Sequence, residues 1–519
     1  MKIVHCGFVP ALLIICACSP SQRSLDDLLS AADRGEADAQ VLLGNHYYRG
    51  KGVNLDYAKA VDCYRKAADQ GHAEGQTCLG VMYARGQGVP QDHQQALDWF
   101  RKATGQGYAR GQYNLGNMYF HGQGVPQDYQ EALKWVRKAA EQGDAQAQAL
   151  LGSMYYEGLG VPQDYQEAVS CFRKSADQGN VWGQYRLGTM YAKGQGVPQE
   201  YQEASRWLRI AAARGLSPAQ NDLGFMYYHG LGVPQDYQQA DEWCRKAAEQ
   251  GLAEAQCWIG SRYFHGQGVP QDYQEALKWL RKAAEQGNAQ AQSLLGSMYA
   301  YGPGVPQDYQ EAVKWYRKAA EQGDVWGQYG LGTRYANGQG VPQDYKEASR
   351  WLRIAAEKGL SPAQCDLGFM YYLGQGVPQD YQEAVKWYRK AAEQGNAAGQ
   401  GLLGGMYNLG LGVPQDYQEA VKWYRKAAEQ GNVVAQGLLG GMYNLGQGVP
   451  QDYVEAYTWY SISATSGLKE AQEGRDSTAA SMTPGQIAEG QKRASEWWEK
   501  HHPSYPPLNL GLKGKSSIH

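Results

Sequence analysis

The 519-residue chain has no surplus of charge of either sign: 49 Lys and Arg stand against 52 Asp and Glu, for a formal net charge of -3. Nucleic acid and anionic lipid recruit proteins through a basic excess, so neither is expected as a partner. Beyond the N-terminal segment, no apolar run approaches the roughly 20 residues that a bilayer-spanning helix needs. No HExxH, GxSxG or kinase-like set occurs, which removes the best-marked hydrolase and phosphotransfer chemistries. The recurring GQGVPQ lacks the third glycine of a phosphate loop and follows a helix pattern, and an aspartate at the next helix start would repel a phosphate. His121, His229 and His265 share one repeat position, but stacked helices stand about 8 to 10 Å apart, too far for neighbouring imidazoles to meet at one zinc. The sequence therefore predicts no enzyme, no cofactor and no metal site.

What the chain does have is a period. A valine recurs every 36 residues, from Val53, Val89 and Val125 through Val413 to Val449, giving twelve copies of one module. A fixed period of this size marks a solenoid, whose units bury their apolar faces by stacking on one another. Counting from the repeat valine V, Gln at V-13, Gly at V-9, Tyr at V-6, Gly at V-3 and V-1, Ala at V+7 and Gly at V+18 occur in every copy. A first helix, A, is predicted over Ala37 to Arg49 of copy one, with V-14, V-10, V-7 and V-6 on one face, as in Leu187 and Tyr191. Glycine at V-9 costs about 1 kcal/mol of helix propensity, so a packed neighbour is expected to approach there. The GxGV turn stops helix A, and Asp at V+3, Glu200 in one copy, caps helix B; Asp128 is representative. Helix B carries a stripe at V+7, V+10, V+11, V+14 and V+15, such as Ala384, Trp387, Tyr388, Ala391 and Ala392. Trp fills V+10 in ten copies, with Cys63 and Cys171 in the others. Arg and Lys at V+12 and V+13 fall off the stripe and are expected in solvent. A longer period of 144 residues repeats VWGQY at 181 and 325 and DLGFMYY at 222 and 366, the mark of a four-module duplication.

On these residues the chain resembles the Sel-one-like repeat family, relatives of the tetratricopeptide repeats: LGGMYNLGLGVPQDYQEAVKWYRKAAEQG, Leu403 to Gly431, carries the pattern. The expected fold is all-α, an alpha-alpha superhelix (right-handed solenoid) of twelve 36-residue helix-turn-helix repeats with terminal capping helices. The segment from Tyr457 is similar to the C-terminal extension that closes such arrays, and Thr483-Pro484-Gly485-Gln486 reads as a helix start. The expected boundaries are a signal peptide over 1–18, a linker and cap helix over 19–34, repeats over 35–467, capping helices over 468–502 and a flexible tail over 503–519.

Lys2, the apolar run Phe8 to Ala17 and the polar SPSQ after Cys18 read as an export signal too short to span a membrane. Ile15-Cys16-Ala17-Cys18 resembles a bacterial lipoprotein cleavage site, which implies acylation of Cys18; Cys16 departs from that pattern. Ser19 resembles the outer-membrane sorting signal, so an exported protein held by its N-terminal lipid and facing periplasm or cell surface is expected, with ordinary secretion as the rival. Oxidation is permitted in that compartment. Cys63 with Cys78 and Cys244 with Cys257 straddle a turn and are candidate disulfides, with separate thiols as the alternative.

The most variable positions, V-15, V-12, V-11, V-8 and V-4, share one face of helix A, which the family resemblance places on the concave surface. Its occupants Arg110, Tyr113, Trp182, Tyr185, Arg186, Asp222, Phe225, Trp258, Trp326, Tyr329, Asp366 and Phe369 are the candidate partner-binding residues, since aromatics and arginines anchor interfaces. Packing between successive helices is the alternative for Trp182 and Trp326. The expected function is a monomeric protein-interaction scaffold of the bacterial envelope, binding multivalently. Two alternatives stand beside it: a secreted or surface virulence factor that binds a host protein, and a noncatalytic cell-wall or envelope-enzyme regulatory factor.

Overall fold

The computed structural model describes residues 24–501. The expected signal peptide over 1–18, with Cys18, and the expected tail over 503–519 lie outside the described residues. Among the described residues every regular element is a helix. Each module holds an A helix and a B helix, from Ala37–Arg49 and Tyr57–Asp69 in the first to Val433–Leu445 and Tyr453–Ala464 in the twelfth. No helix of the described residues is long and apolar enough to cross a membrane.

The helix ends follow from local chemistry. The Asp128 carboxylate accepts from the backbone N–H groups of Gln130 and Glu131 at 2.9 and 3.0 Å, and its equivalents cap the other B helices. Glu200 is the exception, with no side-chain bond to its helix, because its extra methylene carries the carboxylate past the N–H groups. A helices stop at the first glycine of the turn, as at Gly122 with φ 67°.

The chain divides into two compact units, Met1–Ala255 and Gln256–His519. Within each, B helices pack between the A helix of their own module and that of the next, as Tyr129–Glu141 does between Ala109–His121 and Ala145–Glu157. A helices of several neighbouring modules also touch, for example those of the second and third and of the eighth and ninth, so the A side is the more tightly packed side of each stack. The invariant V-9 glycine is the reason A and B helices approach so closely. A Cβ on Gly80 would lie 2.6 Å from the Phe100 ring, and one on Gly296 2.7 Å from Tyr316. The same notch takes a thiol in the sixth module, where a Gly224 Cβ would meet Cys244 Sγ.

Two polar devices tie modules together. The invariant V-13 glutamine is buried and works in both directions: Gln148 Nε2 donates to the Ala140 carbonyl of the preceding module at 3.3 Å, and Gln148 Oε1 accepts from Gln178 of its own module at 2.8 Å. Gln292 repeats this in the second unit, donating to Ala284 at 3.0 Å and accepting from Gln322 at 2.8 Å. The second device is formed by V+12 arginines, most of which stand exposed as expected while also reaching the next module. Arg137 donates to Tyr155 Oη at 3.3 Å and Arg317 to Tyr335 Oη at 2.9 Å, joining helix B of one module to the invariant tyrosine of the next.

At the N-terminus Leu25–Asp33 forms a helix capped by Ser24 and packed on the first A helix. At the C-terminus Lys469–Ala479 and Pro484–His501 cover the twelfth module; Thr483 Oγ1 accepts from the Gln486 N–H at 3.3 Å while Gln486 Oε1 accepts from the Thr483 N–H at 2.8 Å, a reciprocal capping box.

Cys63, Cys78, Cys171, Cys244, Cys257 and Cys365 are all buried. Cys63 packs with Leu28 and Leu43 under the N-terminal helix, whereas Cys78 belongs to a different core with Leu79 and Met82. Cys244 is turned into the Gly224 notch, 3.9 Å from the Asn221 carbonyl.

Candidate functional site

The A helices carry the variable positions, but packing divides those positions into two classes. V-12 points between neighbouring helices: Tyr113 and Tyr185 are 3% and 7% exposed, and burial raises the Tyr113 phenol above its ordinary range. These two tyrosines are therefore packed residues, as far as their rings are concerned. Arg110 is likewise committed inside the fold, to Asp144 at 2.7 Å, and that carboxylate also caps the helix Ala145–Glu157. In the second to fourth modules V-11 and V-8 are closed as well, since Cys78, Asn114 and Leu150 and then Val81, Asn117 and Ser153 are all buried.

The first unit opens further along. Trp182 is half-buried and meets Tyr185 edge-on at 5.8 Å between ring centroids. Arg186 lies over the Tyr156 ring at 5.8 Å, and Phe225 sits 4.2 Å from the His229 ring. Asp222 is surrounded by protein although solvent still touches it, and this burial pushes its carboxyl up to about 6 against the pull of bonds from Asn221 and Tyr185 and of the Lys193 charge.

In the second unit Trp258 is half-buried under the Arg262 guanidinium at 4.6 Å. Trp326 is 54% exposed and packs edge-on to Tyr329 at 6.1 Å. Tyr329 and Asp366 share a hydrogen bond from one A helix, Val325–Asn337, to the next, Ser361–Leu373; burial raises both groups. Phe369 is 46% exposed and stacks on Tyr372 at 6.3 Å.

The sequence reading missed the apolar side chains that continue this face. Leu373, Leu402, Leu409, Val434, Leu438 and Leu445 all stand exposed, at V-15, V-11 and V-4 of the last three A helices. Their spacing of four and seven residues puts them on one side of each helix. The signal was present, since arginine, glutamate or histidine fills V-4 in several earlier modules where leucine fills it in the last three. The near identity of the last two modules hid it. Among the described residues no group of three or more His, Cys, Asp or Glu side chains is placed to hold a metal.

Fold and surface together define a helical-repeat protein whose module-to-module variation lies on its A helices. The Sel1 repeat model matches it twelve times, at 37–72, 73–108, 109–144, 145–180, 183–216, 217–252, 253–288, 289–324, 327–360, 361–396, 397–432 and 433–468, and the chain belongs to that family. A protective antigen present in uropathogenic Escherichia coli strains, displaying an SLR fold, is 37% identical over 93% of this chain and 96% of its own, with a TM-score of 0.55. A Sel1 repeat protein from Oxalobacter formigenes is 40% identical over 60% of this chain and 90% of its own, with a TM-score of 0.44. No curated protein matches the chain.

Proposed function

We propose that this chain is a protein-interaction scaffold that works outside the cytoplasm and grips its partner along the A-helix side of its modules. One observation carries the reading. Trp326, Phe369, Leu373, Leu409 and Leu445 expose large apolar groups on that side of the second unit, where the fold makes little use of them. Such a patch on a soluble surface marks an interaction site.

A secreted or surface-displayed factor that meets a host protein is the better supported setting, because the relative matched over most of the chain is a protective antigen of uropathogenic strains. The envelope scaffold held by an acylated Cys18 remains the second reading, favoured by the residues around that cysteine. Digestion of intact cells with an external protease separates a surface-displayed chain, which is cut, from a periplasm-facing one, which is not.

The partner-binding claim is tested by crosslinking capture from host extracellular extract and from envelope fractions in parallel. The mature chain is compared with a variant carrying Trp326→Ala, Phe369→Ala, Leu373→Ser, Leu409→Ser and Leu445→Ser, shown equally helical by circular dichroism. The expected result is a partner captured by the native chain and lost from the variant. A partner retained by the variant contradicts the assignment to this face.

A further inference from the structure

The 144-residue duplication provides a comparison inside the molecule. Trp182, Tyr185, Asp222 and Phe225 of the first unit correspond to Trp326, Tyr329, Asp366 and Phe369 of the second. Both sets are built alike, with an edge-on Trp–Tyr pair on one A helix whose tyrosine bonds the aspartate of the next A helix. The residues around them have diverged: Met190 of the first copy is Arg334 in the second, but that guanidinium is buried over the Tyr301 and Tyr309 rings. Arg186, Lys193 and His229 of the first copy are replaced by Gly330, Asn337 and Leu373 in the second. The four members are kept while three basic neighbours are gone.

The consequence is a carboxylate whose two A helices have lost the cations that would repel an incoming one. Lys193 acts on Asp222 and Asn221 bonds it, whereas Asp366 has the Tyr329 hydroxyl as its partner and no ion pair among the described residues. Asp366 is half-buried; Phe369, 46% exposed, follows it by three residues on the same helix, and Trp326, 54% exposed, pairs edge-on with its partner Tyr329. A desolvated carboxylate favours a cation brought to it, and exposed aromatic faces attract the same charge. A planar guanidinium suits this pair of features better than an ammonium, since it stacks on a ring while two of its N–H groups bond one carboxylate. The exposed Leu373 follows Phe369 by one turn on the same helix, and Leu402 and Leu409 lie on the next A helix, so the surface beside the carboxylate is aliphatic.

We propose that Asp366, with Trp326, Tyr329 and Phe369, receives an arginine side chain of the partner protein, flanked by aliphatic residues that cover Leu373 and its neighbours. The site rests on the reading that the A-helix side binds protein, and it names the chemistry of the partner there. The first-unit copy, where Arg186, Lys193 and His229 stand on the same two A helices and would repel an incoming guanidinium, is the weaker of the two.

The test is a titration of the mature chain with fluorescent, amidated Gly-Leu-Xaa-Leu-Gly peptides in which Xaa is arginine, lysine or citrulline, the last a neutral copy of arginine. The arginine peptide is expected to bind about tenfold or more tightly than the citrulline peptide, as loss of a charge-assisted bidentate pair requires, with lysine between them. Asp366→Asn, nearly isosteric, is expected to reduce arginine binding to the citrulline level, while Asp222→Asn changes it less. Equal binding of arginine and citrulline, indifference to Asp366→Asn, or no binding at concentrations up to about a millimolar overturns the site. A natural partner lost from the five-residue variant but held undiminished by Asp366→Asn would overturn the arginine site and leave the interaction face standing.

Discussion

At the scale of the residue, two adjacent glycines of the eleventh module show how differently one amino acid is used. Gly404 is the packing notch: a Cβ there would meet the Tyr424 ring at 2.8 Å and the Ala420 carbonyl at 3.2 Å. Gly405 has only the Tyr424 hydroxyl within reach, at 3.7 Å. Gly404→Ala is therefore expected to cost about 1 to 3 kcal/mol by forcing the helices apart. Gly405→Ala is expected to gain about 0.5 to 1 kcal/mol through helix propensity. Hydrogen exchange of the eleventh-module amides checks both signs, with faster exchange in the first variant and slower in the second. This difference was legible in the sequence, because V-9 is glycine in all twelve modules while V-8 varies. The burial of Tyr113 and Tyr185 was not, since V-12 shares a helical face with positions that do reach solvent. Only the distance to the neighbouring A helix decides it.

Between elements, the partner glutamine of the ladder is replaced in three modules, by Arg214, Lys358 and, in the last, Ser466. In the fifth and ninth modules Arg214 and Lys358 donate instead to the Gly179 and Gly323 carbonyls. Gln184 Oε1 and Gln328 Oε1 are consequently buried without a partner. Leaving a buried acceptor unpaired costs about 1 to 3 kcal/mol. Arg214→Gln and Lys358→Gln together are expected to raise the thermal midpoint, read by differential scanning calorimetry; an unchanged or lowered midpoint contradicts the role given to the ladder. Helix limits were well marked in sequence, because aspartate caps and left-handed glycines act within a turn of the residue that carries them. The bonds between elements were not: Arg317 and Tyr335 are far apart along the chain, and their meeting depends on how one module stacks on the next.

For the whole molecule, the array itself was the most legible feature, since twelve equal periods of small helices have one economical way to bury their stripes. The surface was legible only in outline. Variation pointed to the A helices, yet it marked packed and open positions alike, and the exposed leucines of the last modules repeat too faithfully to stand out as variable. The central proposal is that the partner is met on the A-helix side and not on the exposed side of the B helices. It is tested most directly by placing a photo-crosslinking amino acid at single positions of the mature chain, at Phe369 and Leu409 on A helices and at Lys386 and Lys422 on the exposed side of B helices. Irradiation with the captured partner is expected to give adducts from Phe369 and Leu409 and none from the two lysine positions. Adducts from Lys386 or Lys422, with none from the A helices, would place the partner on the opposite side and contradict the account.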